Sequence, residues 1–122
     1  MPNHIVNHLK INGTIEQVNQ VLEFLKGENG IVDFNKIKPM PEGLDIASSS
    51  DGTFGVHYLQ YDRNPVKYAE YKKDFDRVLS WPKDRRMKAI NLAKKYLANV
   101  SKYGHDTWYS WSYANWGTKW NA

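Results

Sequence analysis

Between Trp108 and Ala122 the chain carries four of its five tryptophans, with Tyr109 and Tyr113 among them. A large ring buries roughly 150–250 Å² when packed, so six rings in one segment supply much of the apolar burial open to a small domain. Such a segment either completes a core or forms an aromatic face that awaits a partner. Its period is ambiguous. As a strand it would turn Tyr109, Trp111 and Tyr113 to one side and Ser110, Ser112 and Ala114 to the other. As a helix capped by Asp106 or Thr107 and stopped by Gly117, it would present Trp108, Trp111 or Ser112, and Asn115. The bracketing by Asp106-Thr107 and Gly117 favours a short helix followed by an irregular or extended end.

A chain of 122 residues reads as a single domain, 1–122, with room for one core. The absence of cysteine excludes a disulfide framework, a thiolate metal site and a cysteine nucleophile. The opening residues lack the basic and apolar regions of a secretory leader, and no apolar run approaches the ~18 residues of a membrane span, so a cytoplasmic protein is expected. The net charge of +4 is unevenly spread. Up to Leu59 there are 4 basic and 7 acidic residues, whereas Gln60 to Tyr103 holds 12 basic and 5 acidic. The middle of the chain is therefore either a nucleic-acid footprint or the solvated face of two helices.

In chain order, the alternation over Ile5–Asn12 predicts a strand. Thr14 with Gln17 forms a capping box for a helix whose stripe is Ile15, Val18, Val21, Leu22 and Leu25. A second strand is expected at Ile31–Ile37, stopped by Pro39-Met40-Pro41, which makes a β-α-β unit. Glu42 to Thr53 reads as an exposed loop, and Gly55–Tyr61 as a third strand or the lead-in to a helix. Asn64-Pro65 starts a helix carrying Tyr68, Tyr71, Phe75 and Val78 or Leu79. Asp84 caps the next helix, with Met87, Ile90, Ala93, Leu97 and Val100 on its apolar stripe and Arg85, Arg86, Lys88, Lys94, Lys95 and Lys102 on its other face. The two helices are expected to form an antiparallel hairpin.

Several of these stretches resemble one family. They are the opening Met1-Pro2-Asn3 with Asn7, the run Val32-Asp33-Phe34-Asn35-Lys36-Ile37 into Pro39-Met40-Pro41, and Lys102-Tyr103-Gly104 leading to Trp108-Tyr109-Ser110-Trp111. Above all, Asn115-Trp116-Gly117-Thr118-Lys119-Trp120-Asn121-Ala122 is similar to the hallmark of the YubB ferredoxin-like, or Api-type, family of small proteins carried by bacteriophages and plasmids. The likeness touches both ends of the chain and the second strand, while the basic hairpin corresponds to a region that varies. It implies a ferredoxin-like α+β scaffold without iron or sulfur, with Trp108, Trp111, Asn115, Trp116, Gly117 and Trp120 as a structural hallmark packed on the sheet. Longer members continue past the hallmark, so a truncated β-α-β unit filled in by helices is the alternative expectation. The family carries no enzymatic activity or cofactor to transfer.

The chemistry-bearing residues rank binding above catalysis. His4 and His8 share a strand face, but without cysteine or an adjacent carboxylate they make no metal site. His105-Asp106 resembles a base beside its orienting acid, yet no nucleophile accompanies it. No phosphate-cradling glycine loop is present. No catalytic residue, metal or cofactor is therefore expected. Lys83, Arg85, Arg86, Lys88, Lys94 and Lys95, with Tyr68 and Tyr71, are the interface or nucleic-acid candidates. The function expected is a non-catalytic binding protein of phage or mobile-element origin, in the cytoplasm of a bacterial host. It would modulate a host protein or nucleoprotein such as a CRISPR or other defence complex. The alternative is a single-stranded nucleic-acid-binding protein using the basic helices and exposed rings.

Overall fold

The Thr14 hydroxyl accepts a hydrogen bond from the Gln17 amide at 3.2 Å, and the Gln17 side-chain oxygen accepts one from Thr14 N at 3.2 Å. This capping box opens helix α1, Ile15–Leu25. The structure, a computed structural model, describes residues 8–28, 30 and 32–120. After α1 come α2 (Phe34–Ile37), α3 (Ser50–Arg63), α4 (Lys72–Ser80), α5 (Lys83–Tyr103) and α6 (Trp108–Trp116), with 3₁₀ turns at Glu42–Leu44 and Ala69–Tyr71. No strand forms among the described residues, which overturns the ferredoxin-like α+β fold, whole or truncated. The chain divides into two compact units, the first running to Pro39 and the second Met40–Trp120.

In the first unit, part of the expected opening strand lies outside the described residues, and 8–12 take no regular structure. On α1 the inward row is Val18, Leu22 and Leu25; Ile15 and Val21 of the expected stripe are exposed. The second expected strand is replaced over Phe34–Ile37 by α2. Asp33 accepts a hydrogen bond from Asn35 N at 2.9 Å through its carboxylate, and its own N–H donates to Leu25 O at 2.6 Å. A local cap of this kind offers the backbone an alternative to extension, and two alternating apolar residues do not outweigh it.

The second unit is organised around α3, against which both α4 and α5 make their main contacts. This corrects the expected α4–α5 hairpin, in which each helix would have had the other as its principal neighbour. Ser49 caps α3, its hydroxyl accepting from Asp51 N at 3.1 Å, so the segment expected as a loop becomes a helix start. Gly55–Tyr61 is helical throughout. Two buried glycines make the α3–α5 crossing close. A Cβ on Gly52 would lie 2.5 Å from the Tyr96 ring, and one on Gly55 would lie 2.5 Å from Ala89 O and 2.9 Å from Ala93 Cβ. Each glycine costs a helix about 1 kcal/mol relative to alanine, offset here by close packing, Gly52 against Leu92 and Tyr96 and Gly55 against the buried Ala89 and Ala93.

The α5 face that packs inward is displaced by about one residue from the expected stripe. Ala89, Ala93, Tyr96 and Asn99 are buried, while Met87 and Val100 are half exposed. The cause lies in the preceding segment. The Tyr96 hydroxyl donates to Ala47 O and accepts from Ser49 N, and the Asn99 amide donates to Gly43 O at 2.9 Å and Asp106 O at 3.0 Å. These bonds draw two polar side chains inward and hold the 43–49 segment on α5, with Leu44 fully buried. Burial pushes the Tyr96 hydroxyl above its ordinary pKa. Two helix starts also differ from expectation. Asn64-Pro65 begins a turn, with the Asn64 side chain accepting from Lys67 N at 3.1 Å, and the α-helix starts at Lys72. Pro82, not Asp84, sits at the head of α5, without a side-chain cap.

The tail is a short helix. Thr107, 2% exposed, caps α6 by accepting from Tyr109 N at 3.3 Å, and Gly117 ends it at φ 73°, in the left-handed region that glycine tolerates best. No sheet is described for its rings to cover. They pack on one another instead: Trp111 edge-on to Trp116 at 5.1 Å, and Trp108 stacked on Trp120 at 5.4 Å.

Candidate functional site

The α5 sequence carries seven cationic side chains and one carboxylate, Asp84. A helix turns 100° per residue, so a spacing of seven aligns Lys88, Lys95 and Lys102 in one row, and a spacing of eleven aligns Lys83 with Lys94. Asp84, Met87, Asn91 and Ala98 lie along or between the rows, and all of these residues are exposed. Among the described residues no ion pair or ring contact engages Lys83, Lys88, Lys94 or Lys95. The result is a two-edged cationic strip facing solvent.

Arg85 and Arg86, the densest pair by sequence, are committed within the fold. Arg85 donates from Nε and a terminal nitrogen to both Asp51 oxygens at 3.0 Å each, and its guanidinium lies 3.9 Å above the Trp81 ring. These hydrogen bonds hold the Asp51 carboxyl below its ordinary value and the guanidinium above its own. Arg86 donates to Leu79 O at 3.2 Å, satisfying a carbonyl at the end of α4. A hollow of about 370 Å³ beside this pair is lined by Ala47, Ser49, Asp51, Arg85, Lys88, Ala89 and Leu92. Its one uncommitted cation is Lys88.

Tyr68 and Tyr71 come together in a column. Tyr68 stacks on Tyr71 at 5.9 Å, and Tyr71 on His57 at 3.9 Å, with interplanar angles of 10° and 7°. His57 Nδ1 lies 2.7 Å from Asp74 Oδ2, and Arg77 reaches the other carboxylate oxygen at 3.7 Å. The column thus ties α3 to the turn before α4 and leaves Tyr68 at its end. His57 and Asp74 did not stand out in the sequence, because nothing in the chain marks a histidine in a segment open between strand and helix as the neighbour of a carboxylate 17 residues on.

The tail also offers rings to solvent. Trp120 is 61% exposed, Tyr109 and Tyr113 nearly half, and Lys119 Nζ lies 5.5 Å above Tyr109 and 4.8 Å above Trp120. The Tyr109 hydroxyl, through a hydrogen bond, raises the pKa of Tyr113. Trp111 is buried, and Asn115 donates to Trp111 O at 3.0 Å, so these two residues serve the tail helix rather than its solvent-facing side.

Ser110 stands between the two members of the His105-Asp106 pair. His105 Nδ1 lies 3.1 Å from Ser110 Oγ, but Asp106 accepts from that same hydroxyl at 3.4 Å and from Thr107 N, so the carboxylate orients the serine and the helix start rather than the imidazole. His4 lies outside the described residues, and among those described no group of three metal-ligating side chains assembles. No described helix is long and apolar enough to cross a membrane.

No protein-family model, curated protein or solved structure matches this chain. The functional reading rests on these surfaces.

Proposed function

We propose that the chain is a non-catalytic binding protein of a phage or other mobile element that modulates or inhibits a host nucleoprotein, such as a CRISPR or other defence complex. The observation that carries this reading is the α5 strip: exposed lysines in two rows, nearly free of carboxylates. Of these, Lys83, Lys88, Lys94 and Lys95 make no ion pair or ring contact among the described residues, while Lys102 lies over the Tyr103 ring. Phosphate contact through such a strip is favourable because bound counterions are released, and it supplies affinity without sequence preference. The mobile-element origin comes from the sequence resemblance alone, that of the closing segment above all.

A second reading, a protein that binds free single strands, is favoured by the Tyr68 column end and the solvent-facing tail rings, since every base has a face that stacks on an aromatic ring. The two are separated by capture from host lysate with a tagged chain and with its K88Q/K95Q/K102Q variant. The expected outcome is a stoichiometric nucleoprotein held by the parent chain and lost by the variant. Equal capture by both would remove the lysine strip from the argument. Capture of nothing, with a labelled oligonucleotide bound in fluorescence anisotropy, would leave the second reading in place.

A further inference from the structure

A groove of about 520 Å³ runs between the end of α3, the turn that follows it and α5, lined by Leu59, Gln60, Arg63, Asn64, Lys67, Tyr68 and Leu97. We infer that this groove seats one nucleotide unit of a single strand, with its phosphate held by Arg63 and Lys67 and its base against Tyr68. The inference rests on the proposed nucleic-acid contact and gives it a specific place.

Four features carry it. The lining holds two cations and no carboxylate, so its charge complements a phosphate. No ion pair among the described residues engages Arg63 or Lys67. Tyr68 ends the column built on Tyr71 and His57, so its ring is already positioned and little ordering remains for a ligand to impose. The volume lies within the range of sites that enclose small organic groups, with Leu59 and Leu97 as apolar walls and the Gln60 side-chain amide able to meet a base edge. Lys67 Nζ sits 5.3 Å above the Tyr68 ring. An exposed contact of that kind is weaker than a base stack, so a phosphate that draws Lys67 aside also uncovers the ring.

The groove continues into the α5 strip. Lys94 is three residues before Leu97, and residues at that spacing are neighbours on a helix surface. A strand seated at Tyr68 therefore passes the Lys83–Lys94 row next.

The test is fluorescence anisotropy with a labelled oligothymidylate at low salt, on the full chain. Y68A should weaken binding by about 5- to 150-fold, the range of one lost base–ring stack. Y68F should restore binding to within twofold of the parent chain, because the ring face remains. R63Q/K67Q should weaken binding at least tenfold and flatten the salt dependence, a readout that does not require Tyr68 to be altered. If Y68A and R63Q/K67Q bind like the parent while K88Q/K95Q/K102Q binds worse, the groove is wrong and the lysine strip stands. If the unsubstituted chain fails to bind, both fall. Displacement of the strand by an equal charge of polyglutamate would also overturn the inference, because the site would then read charge alone.

Discussion

Asp51 and Arg85 are 34 residues apart in the chain, yet two 3.0 Å hydrogen bonds join them across the α3–α5 crossing. Because the Asp51 carboxyl is held below its ordinary value, its contribution to stability is present above the unfolded pKa of about 3.9. That contribution is lost as pH falls through the lower folded value. Asp51→Asn should therefore lower Tm at pH 7, and the gap between variant and parent should close as the melts are repeated toward pH 3. A gap that stays constant would mean the ion pair is idle. Ser112 gives the opposite kind of prediction. Its hydroxyl is buried without a hydrogen-bond partner among the described residues, and an unsatisfied buried hydroxyl costs about 1–3 kcal/mol. Ser112→Ala should raise Tm by a few degrees, and a fall would show that the hydroxyl is bonded after all. Neither residue stood out in the sequence, since an ion pair and an orphaned donor are both defined by what tertiary contact brings near.

At the level of elements, α3 has the least helical-looking sequence of the set and the most central position. Gly52 and Gly55 argue against a helix by propensity, but they are what lets α3 approach Leu92 and Tyr96 at the first position and Ala89 and Ala93 at the second. Gly55→Ala improves intrinsic propensity and places a methyl 2.5 Å from Ala89 O, so the variant should be less stable by about 1–3 kcal/mol, the usual cost of overpacking. Denaturant unfolding measures this, and a stabilised variant would show that the crossing can open. In the aromatic tail the rings divide by burial. Trp111 is 6% exposed and Trp120 61%. Trp111→Ala should cost about 3–5 kcal/mol, whereas Trp120→Ala should leave Tm almost unchanged. Similar melts for the two would contradict the division. A cap at Asp106 or Thr107 and the stop at Gly117 were legible beforehand because capping depends on neighbouring residues, and Thr107 is the one that takes the role. Which ring faces inward was not, because it depends on what the helix packs against.

For the whole molecule, the decisive property is that its positive charge is concentrated on one long helix rather than dispersed. Each phosphate contact to a single strand contributes about 0.7 to the slope of log affinity against log salt. Neutralising Lys88, Lys95 and Lys102 together should then flatten that slope by roughly 2 if all three touch phosphate, measured by anisotropy over a salt series. An unchanged slope would place the contact elsewhere. The sequence by itself determined the charge asymmetry, the capping box of α1 and the lysine-bearing face of α5, and it favoured without deciding the bracketed aromatic helix, because each rests on residues within about two turns or on composition alone. Tertiary structure decided the rest. It settled Gly55–Tyr61, open between strand and helix, as helix, rotated α5 by a residue so that Tyr96 and Asn99 could bond to the 43–49 segment, and spent Arg85 on Asp51. The reason is physical: a short alternating pattern fits strand and helix almost equally. At Phe34–Ile37 the local Asp33 cap tips the balance, and in the second unit it is tipped by hydrogen bonds between residues 34 to 56 apart, which local periodicity does not encode.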